Sequence, residues 1–176
     1  MAEAEWTRST GFLQAWLPDA AGRLYDPAPW REPIFGRHRI AARSGPIKVL
    51  LVEDDTTIAE MYRVQLEYDG YHVTSVTTGK AALSAMRSAE PDIILLDLLL
   101  PDRSGLEVMV ELKQDFPNHP PVVILSNYGE PTMIERGVAL GAVEYLVKSR
   151  VTPDSVSRSI PGWIERGRSG EPPARQ

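Results

Sequence analysis

The sequence predicts a doubly wound α/β fold on a five-stranded parallel sheet of order 2-1-3-4-5, and three observations lead there. Short apolar runs alternate with segments of helical period from Pro46 to about Arg166, five times over. Parallel neighbours need a right-handed helical crossover, so this alternation implies a sheet covered on both faces. Two of the apolar runs end abruptly in acids: Asp92-Ile93-Ile94-Leu95-Leu96-Asp97, and Ile47 to Val52 followed by Glu53-Asp54-Asp55. Ligands in open α/β sheets bind beyond the carboxyl ends of the strands, and order 2-1-3-4-5 sets the first and third strands side by side. Their acids then converge.

The elements follow in order. Ile47 to Val52 is the first strand; Thr56 to Tyr68 reads as a helix with Ile58, Met61, Tyr62 and Leu66 on one face, capped by Asp55 and ended by Gly70. Tyr71 to Val76 is the second strand. Lys80 to Ala89 is an Ala-rich helix with Ala82, Leu83 and Met86 apolar, stopped by Pro91 before the strand that ends at Asp97. Leu106 to Phe116 is helical, with Leu106, Met109, Leu112 and Phe116 inward, and Pro120-Pro121 introduces the strand Val122 to Leu125. Pro131 opens a helix to about Leu140, Val143 to Val147 is the last strand, and Pro153 opens a final helix. Pro161-Gly162 falls inside that helix, where the pair costs about 3 kcal/mol or more, so a break or kink is expected there.

Composition narrows the chemistry. The 176 residues contain no cysteine, which excludes a disulfide scaffold and a thiolate metal site and fits a reducing compartment. No stretch approaches the ~20 apolar residues of a membrane helix. With Glu3 and Glu5 at its start the chain lacks the pattern of a secretory signal, and a cytoplasmic protein with no membrane association is expected. A formal net charge of −5 and no reading motif argue against direct nucleic-acid binding. The cluster Arg31, Arg37, Arg39 and Arg43 reads as a solvated linker.

Clustered carboxylates repel one another and need a cation, and oxygen ligands alone suit a hard ion, Mg²⁺ (or Mn²⁺), held through Glu53, Asp54 and Asp97. Ser126 and Lys148 close the fourth and fifth strands on the same side of the sheet. A nucleophilic acid, a metal, a hydroxyl and an ammonium are the groups phosphoryl transfer requires, with Asp97 as attacking group and Lys148 and Ser126 holding the phosphoryl oxygens. Taken singly these residues have plainer readings: Ser126 a loop hydroxyl, Lys148 a surface charge. His38, His72 and His119 show no metal-ligand spacing.

Four stretches carry a resemblance: Val49-Leu50-Leu51-Val52-Glu53-Asp54-Asp55, Asp97-Leu98-Leu99-Leu100-Pro101-Asp102-Arg103-Ser104-Gly105, Val123-Ile124-Leu125-Ser126, and Gly141-Ala142-Val143-Glu144-Tyr145-Leu146-Val147-Lys148. The chain resembles the receiver domain of two-component response regulators, a stand-alone, chemotaxis-regulator-like receiver of flavodoxin-like (βα)5 fold. The resemblance implies phosphorylation of Asp97 by a sensor histidine kinase or phosphotransfer protein, with Glu53, Asp54 and the Leu99 carbonyl completing the metal site. It implies that Lys148 and Ser126 contact the phosphoryl group and that Ser126 and Tyr145 act as the switch. Tyr145 is equally readable as packing at the core edge. Such a chain is a phosphoacceptor regulator, not an enzyme, and signals to a downstream protein. Leu99 and Tyr128 occupy the two positions that tune phosphate loss in this family. An apolar and an aromatic side chain orient an attacking water poorly, so slow self-dephosphorylation is expected.

The sequence departs from the family at Ser149, where a proline is usual, and at Pro161-Gly162, which weakens the case for the usual dimer. The expected organisation is an N-terminal extension over 1–45, a receiver over 46–166 and a polar tail over 167–176 with no effector module. The extension holds Trp6, Trp16 and Trp30, and Phe12, Leu13, Trp16 and Leu17 form one apolar face of a short helix. That face would dock on the receiver, on a second copy, or in a partner's groove. A phosphatase of the aspartyl-phosphate type is disfavoured because Leu99 stands where its second acid would be. Flavin binding is disfavoured by the acidic loop after the first strand.

Overall fold

The computed structural model describes residues 45–170. The tryptophan-rich segment, the basic cluster at Arg31 to Arg43 and most of the tail lie outside the described residues. Within them β1 (Lys48–Val52), β2 (His72–Val76), β3 (Ile93–Leu96), β4 (Val122–Ser126) and β5 (Glu144–Val147) form one parallel sheet in the order β2-β1-β3-β4-β5. The helices are α1 (Thr56–Tyr68), α2 (Gly79–Ala89), α3 (Gly105–Asp115), α4 (Pro131–Ala139) and α5 (Pro153–Ser169). A single turn of 3₁₀ helix, Lys148–Arg150, follows β5.

Strand residues alternate between two cores, as period-two side chains on a two-sided sheet must. Val49, Leu51, Ile93, Leu95, Val123 and Leu125 meet α1 and α5 through Tyr62, Leu66, Val156, Ile160 and Trp163. Leu50, Val52, Ile94, Leu96 and Ile124 meet α2 and α3 through Ala82, Met86, Val108, Met109 and Leu112, with Met133 and Ile134 of α4 at the border. Tyr145 belongs to this second core.

Two expectations fail. Met61 does not face inward but is 49 % exposed, and Ala59 takes the place beside Tyr62 and Leu66. The final helix does not break: α5 runs through Pro161 to Ser169. Proline removes the amide that would bond the carbonyl of Ser157, four residues earlier. The Tyr71 hydroxyl donates to that carbonyl instead, at 3.0 Å. The cost read from the sequence is local, and the compensation comes from the residue just before β2.

Helix starts hold the site-bearing loops in place. Asp55 caps α1 by accepting from the amides of Thr57 and Ile58 at 2.8 and 3.1 Å. Asp102, in the loop after β3, accepts from the amides of Gly79 and Lys80 at 2.8 and 3.0 Å and so ties that loop to the start of α2.

Candidate functional site

Register brings the acids together. Val52 of β1 pairs with Leu96 of β3, so Glu53 and Asp97 are the next residue on each strand, and the Asp97 amide donates to the Val52 carbonyl at 2.9 Å. Leu96 pairs in turn with Ile124, which sets Ser126 at the same end of the sheet, and Ser126 pairs with Val147, which delivers Lys148.

Glu53, Asp54 and Asp97 each place a carboxylate oxygen within 4.8 Å of the others. Glu53 and Asp97 are buried, 1 % and 4 % exposed, whereas Asp54 is open to solvent. Lys148 Nζ reaches Glu53 Oε2 at 2.5 Å and Asp97 Oδ2 at 2.9 Å. Three carboxylates against one ammonium leave a formal excess of two negative charges, which a divalent cation would neutralise. Burial pushes the Glu53 carboxyl above its ordinary range, the Lys148 ammonium pulls against that, and Asp97 adds to the rise. An all-oxygen set with one solvent-facing member fits an ion that keeps part of its water, as Mg²⁺ does.

The other oxygen of Asp97 is fixed by the chain that follows it. Oδ1 accepts from the Leu98 amide at 2.6 Å and, at longer range, from the Leu99 amide at 3.4 Å. Gly105 has a part in this turn that sequence reasoning missed. Its amide donates to the Leu98 carbonyl at 2.9 Å, and a Cβ there would stand 2.2 Å from the Asp97 carbonyl oxygen. No side chain fits. The signal was present in the stretch Pro101 to Gly105, but only the fold shows which backbone the glycine meets.

Ser126 is fully buried, and its hydroxyl accepts from the Tyr128 amide at 3.1 Å. Tyr145 is turned inward with its hydroxyl donating to the Tyr128 carbonyl at 2.7 Å, and burial raises its pKa above the ordinary tyrosine value. The peptide groups of Tyr128 therefore bridge both residues. Behind the Tyr145 ring α4 comes so close that a Cβ on Gly137 would lie 3.2 Å from it. Leu99 and Tyr128 are 54 % and 42 % exposed.

Residues 49–158 match the sequence family described as the response regulator receiver domain. Among curated proteins the chain is 34 % identical over 103 residues to the probable transcriptional regulatory protein TcrX of Mycobacterium tuberculosis, a match covering 58 % of this chain and 44 % of that one. It is 33 % identical over 112 residues to the phosphate regulon transcriptional regulatory protein PhoB of Rhizobium meliloti, covering 63 % and 49 %. The chain thus spans just under half the length of these relatives. Among solved structures, the signal receiver domain of a putative Luxo repressor protein from Vibrio parahaemolyticus superposes with a TM-score of 0.64 at 28 % identity, covering 72 % of this chain and 95 % of that one.

Proposed function

Because the chain belongs to the receiver-domain family of two-component response regulators, we propose that it is a phosphorylation-controlled switch that accepts a phosphoryl group on Asp97 and signals through protein contact. The observation that carries this reading is Lys148, which bonds Asp97 and Glu53 together beside the exposed Asp54. A phosphohistidine of a sensor kinase or phosphotransfer protein is the donor. An Asp97 carboxylate oxygen bonds to phosphorus, the P–N bond breaks, and the imidazole leaves.

Glu53, Asp54, Asp97 and the Leu99 carbonyl would hold a Mg²⁺, which would supply charge neutralisation for the incoming phosphoryl oxygens. Lys148, still protonated, donates a hydrogen bond to such an oxygen in place of its bond to Asp97. Ser126 keeps the Tyr128 amide on its lone pair and turns its own proton from the Tyr145 oxygen to the phosphoryl group. Any displacement of Ser126 is felt at the Tyr128 peptides and so at the Tyr145 hydroxyl. No described helix is long and apolar enough to cross a membrane. DNA binding is named for several relatives and is said of those proteins; the output we assign to this domain is contact with a protein partner.

Incubation with Mg²⁺ and acetyl phosphate, read by intact mass, tests the proposal. Wild type gains one phosphoryl group and Asp97→Asn gains none. No gain in wild type would point instead to a binding module that works without phosphate.

A further inference from the structure

Proline and glycine stand back to back at Pro161 and Gly162, inside the 17 residues of α5. Proline removes one helical hydrogen bond, and glycine follows as the residue that resists bending least. The two halves of the helix are anchored separately. On the first half, the Ser157 carbonyl accepts from Tyr71, and the Ser157 hydroxyl donates to Asp69, so this half is clamped to the corner between α1 and β2. On the second half, Arg166 donates to Glu144 Oε2 at 2.9 Å, and Gly167 sits so close to Pro121 that a Cβ would meet its ring at 2.6 Å. This half is held by the starts of β4 and β5.

Among the described residues nothing packs on the joint from outside: a Cβ on Gly162 would meet none of their atoms within 4 Å. Gly162 opens into a groove of about 770 Å³ shared with Glu144, Ser159, Glu165 and Arg166. Trp163 and Ile164, just past the joint, are core residues, so motion there is a tilt of the second half and not its release.

Glu144 precedes Tyr145 in β5, with its side chain on the α5 face while Tyr145 packs in the core on the other face. A shift of β5 that moves Tyr145 carries Glu144 along, and Glu144 is bonded to Arg166. We propose that α5 is a two-part output element hinged at Pro161-Gly162. Phosphorylation of Asp97 tilts Trp163 to Ser169 through the Glu144–Arg166 pair, leaves Pro153 to Ile160 in place, and reshapes the groove beside Gly162. This rests on the reading of Asp97 as phosphoacceptor.

The test is amide hydrogen exchange of the full chain in Mg²⁺, with and without acetyl phosphate, with Asp97 occupancy read by intact mass on the same samples. On loading, exchange in residues 163–169 changes about tenfold while 153–160 holds. Glu144→Gln loads Asp97 as before and loses that change. Pro161→Ala combined with Gly162→Ala makes both halves respond alike. A loaded wild type whose halves already respond alike, or a Glu144→Gln protein that responds as wild type does, overturns the hinge and leaves phosphorylation standing. A wild type that takes up no phosphoryl group overturns both.

Discussion

Leu99 and Tyr128 are both exposed, and on the proposal that Asp97 is the phosphoacceptor the Leu99 side chain offers no polar group to orient a water on phosphorus. General acid–base help is worth about a hundredfold or more where it exists, so its absence decides the lifetime of the acyl phosphate. We expect Leu99→Asn, which restores an amide at that position, to shorten the lifetime about tenfold. The decay of phosphorylated mass after removal of donor measures it. Equal decay in the two proteins, or a wild-type lifetime of seconds, would remove this explanation. Asp97, Glu53 and Lys148 were legible in the sequence because an apolar strand that stops on a charged residue has few structural reasons to do so. Gly105 was not, because the atom it must avoid, the Asp97 carbonyl oxygen, comes near only when the turn closes.

Among the elements, α2 and α5 each depend on a side chain supplied from elsewhere. For α2 that side chain is Asp102, whose carboxyl lies below the ordinary aspartate value because the amides of Gly79 and Lys80 donate to it. A depressed folded value stabilises the protein above pH 3.8, the ordinary value, and the contribution is lost as pH falls through the folded one. Asp102→Ala is therefore less stable than wild type at neutral pH, and the gap closes in acid. Denaturant melts across pH check this, and a gap that persists unchanged into acid refutes it. For α5 the outside partner is Tyr71. Tyr71→Phe leaves the Ser157 carbonyl without a donor and costs about 1–3 kcal/mol, whereas in a Pro161→Ala background the new amide takes that carbonyl and the cost falls. Additive effects in the double-mutant cycle would show that Tyr71 does not compensate for the proline.

At the scale of the molecule, strand order and the face of each strand were readable from alternation and strand ends, since these are local patterns with a period. Sequence reading failed where a local cost is met by a distant group. The expected break in α5 rested on a sound propensity, and Met61 was placed inward on a helix whose buried face is narrower than its apolar one. Both cores run the length of one sheet, so the strand ends that carry Asp97, Ser126 and Lys148 are held by the same packing that fixes the helices.

The bond from Tyr71 to Ser157 joins residues 86 positions apart, and this separation bears on how the chain reaches its native state. A helix that has lost a hydrogen bond to proline gains little by forming ahead of its surroundings, and closing so long a loop is slow. We therefore expect the first half of α5, which carries Ser157, to be completed only after the corner between α1 and β2 is in place. Assembly of α5 reports that the first third of the domain has already folded.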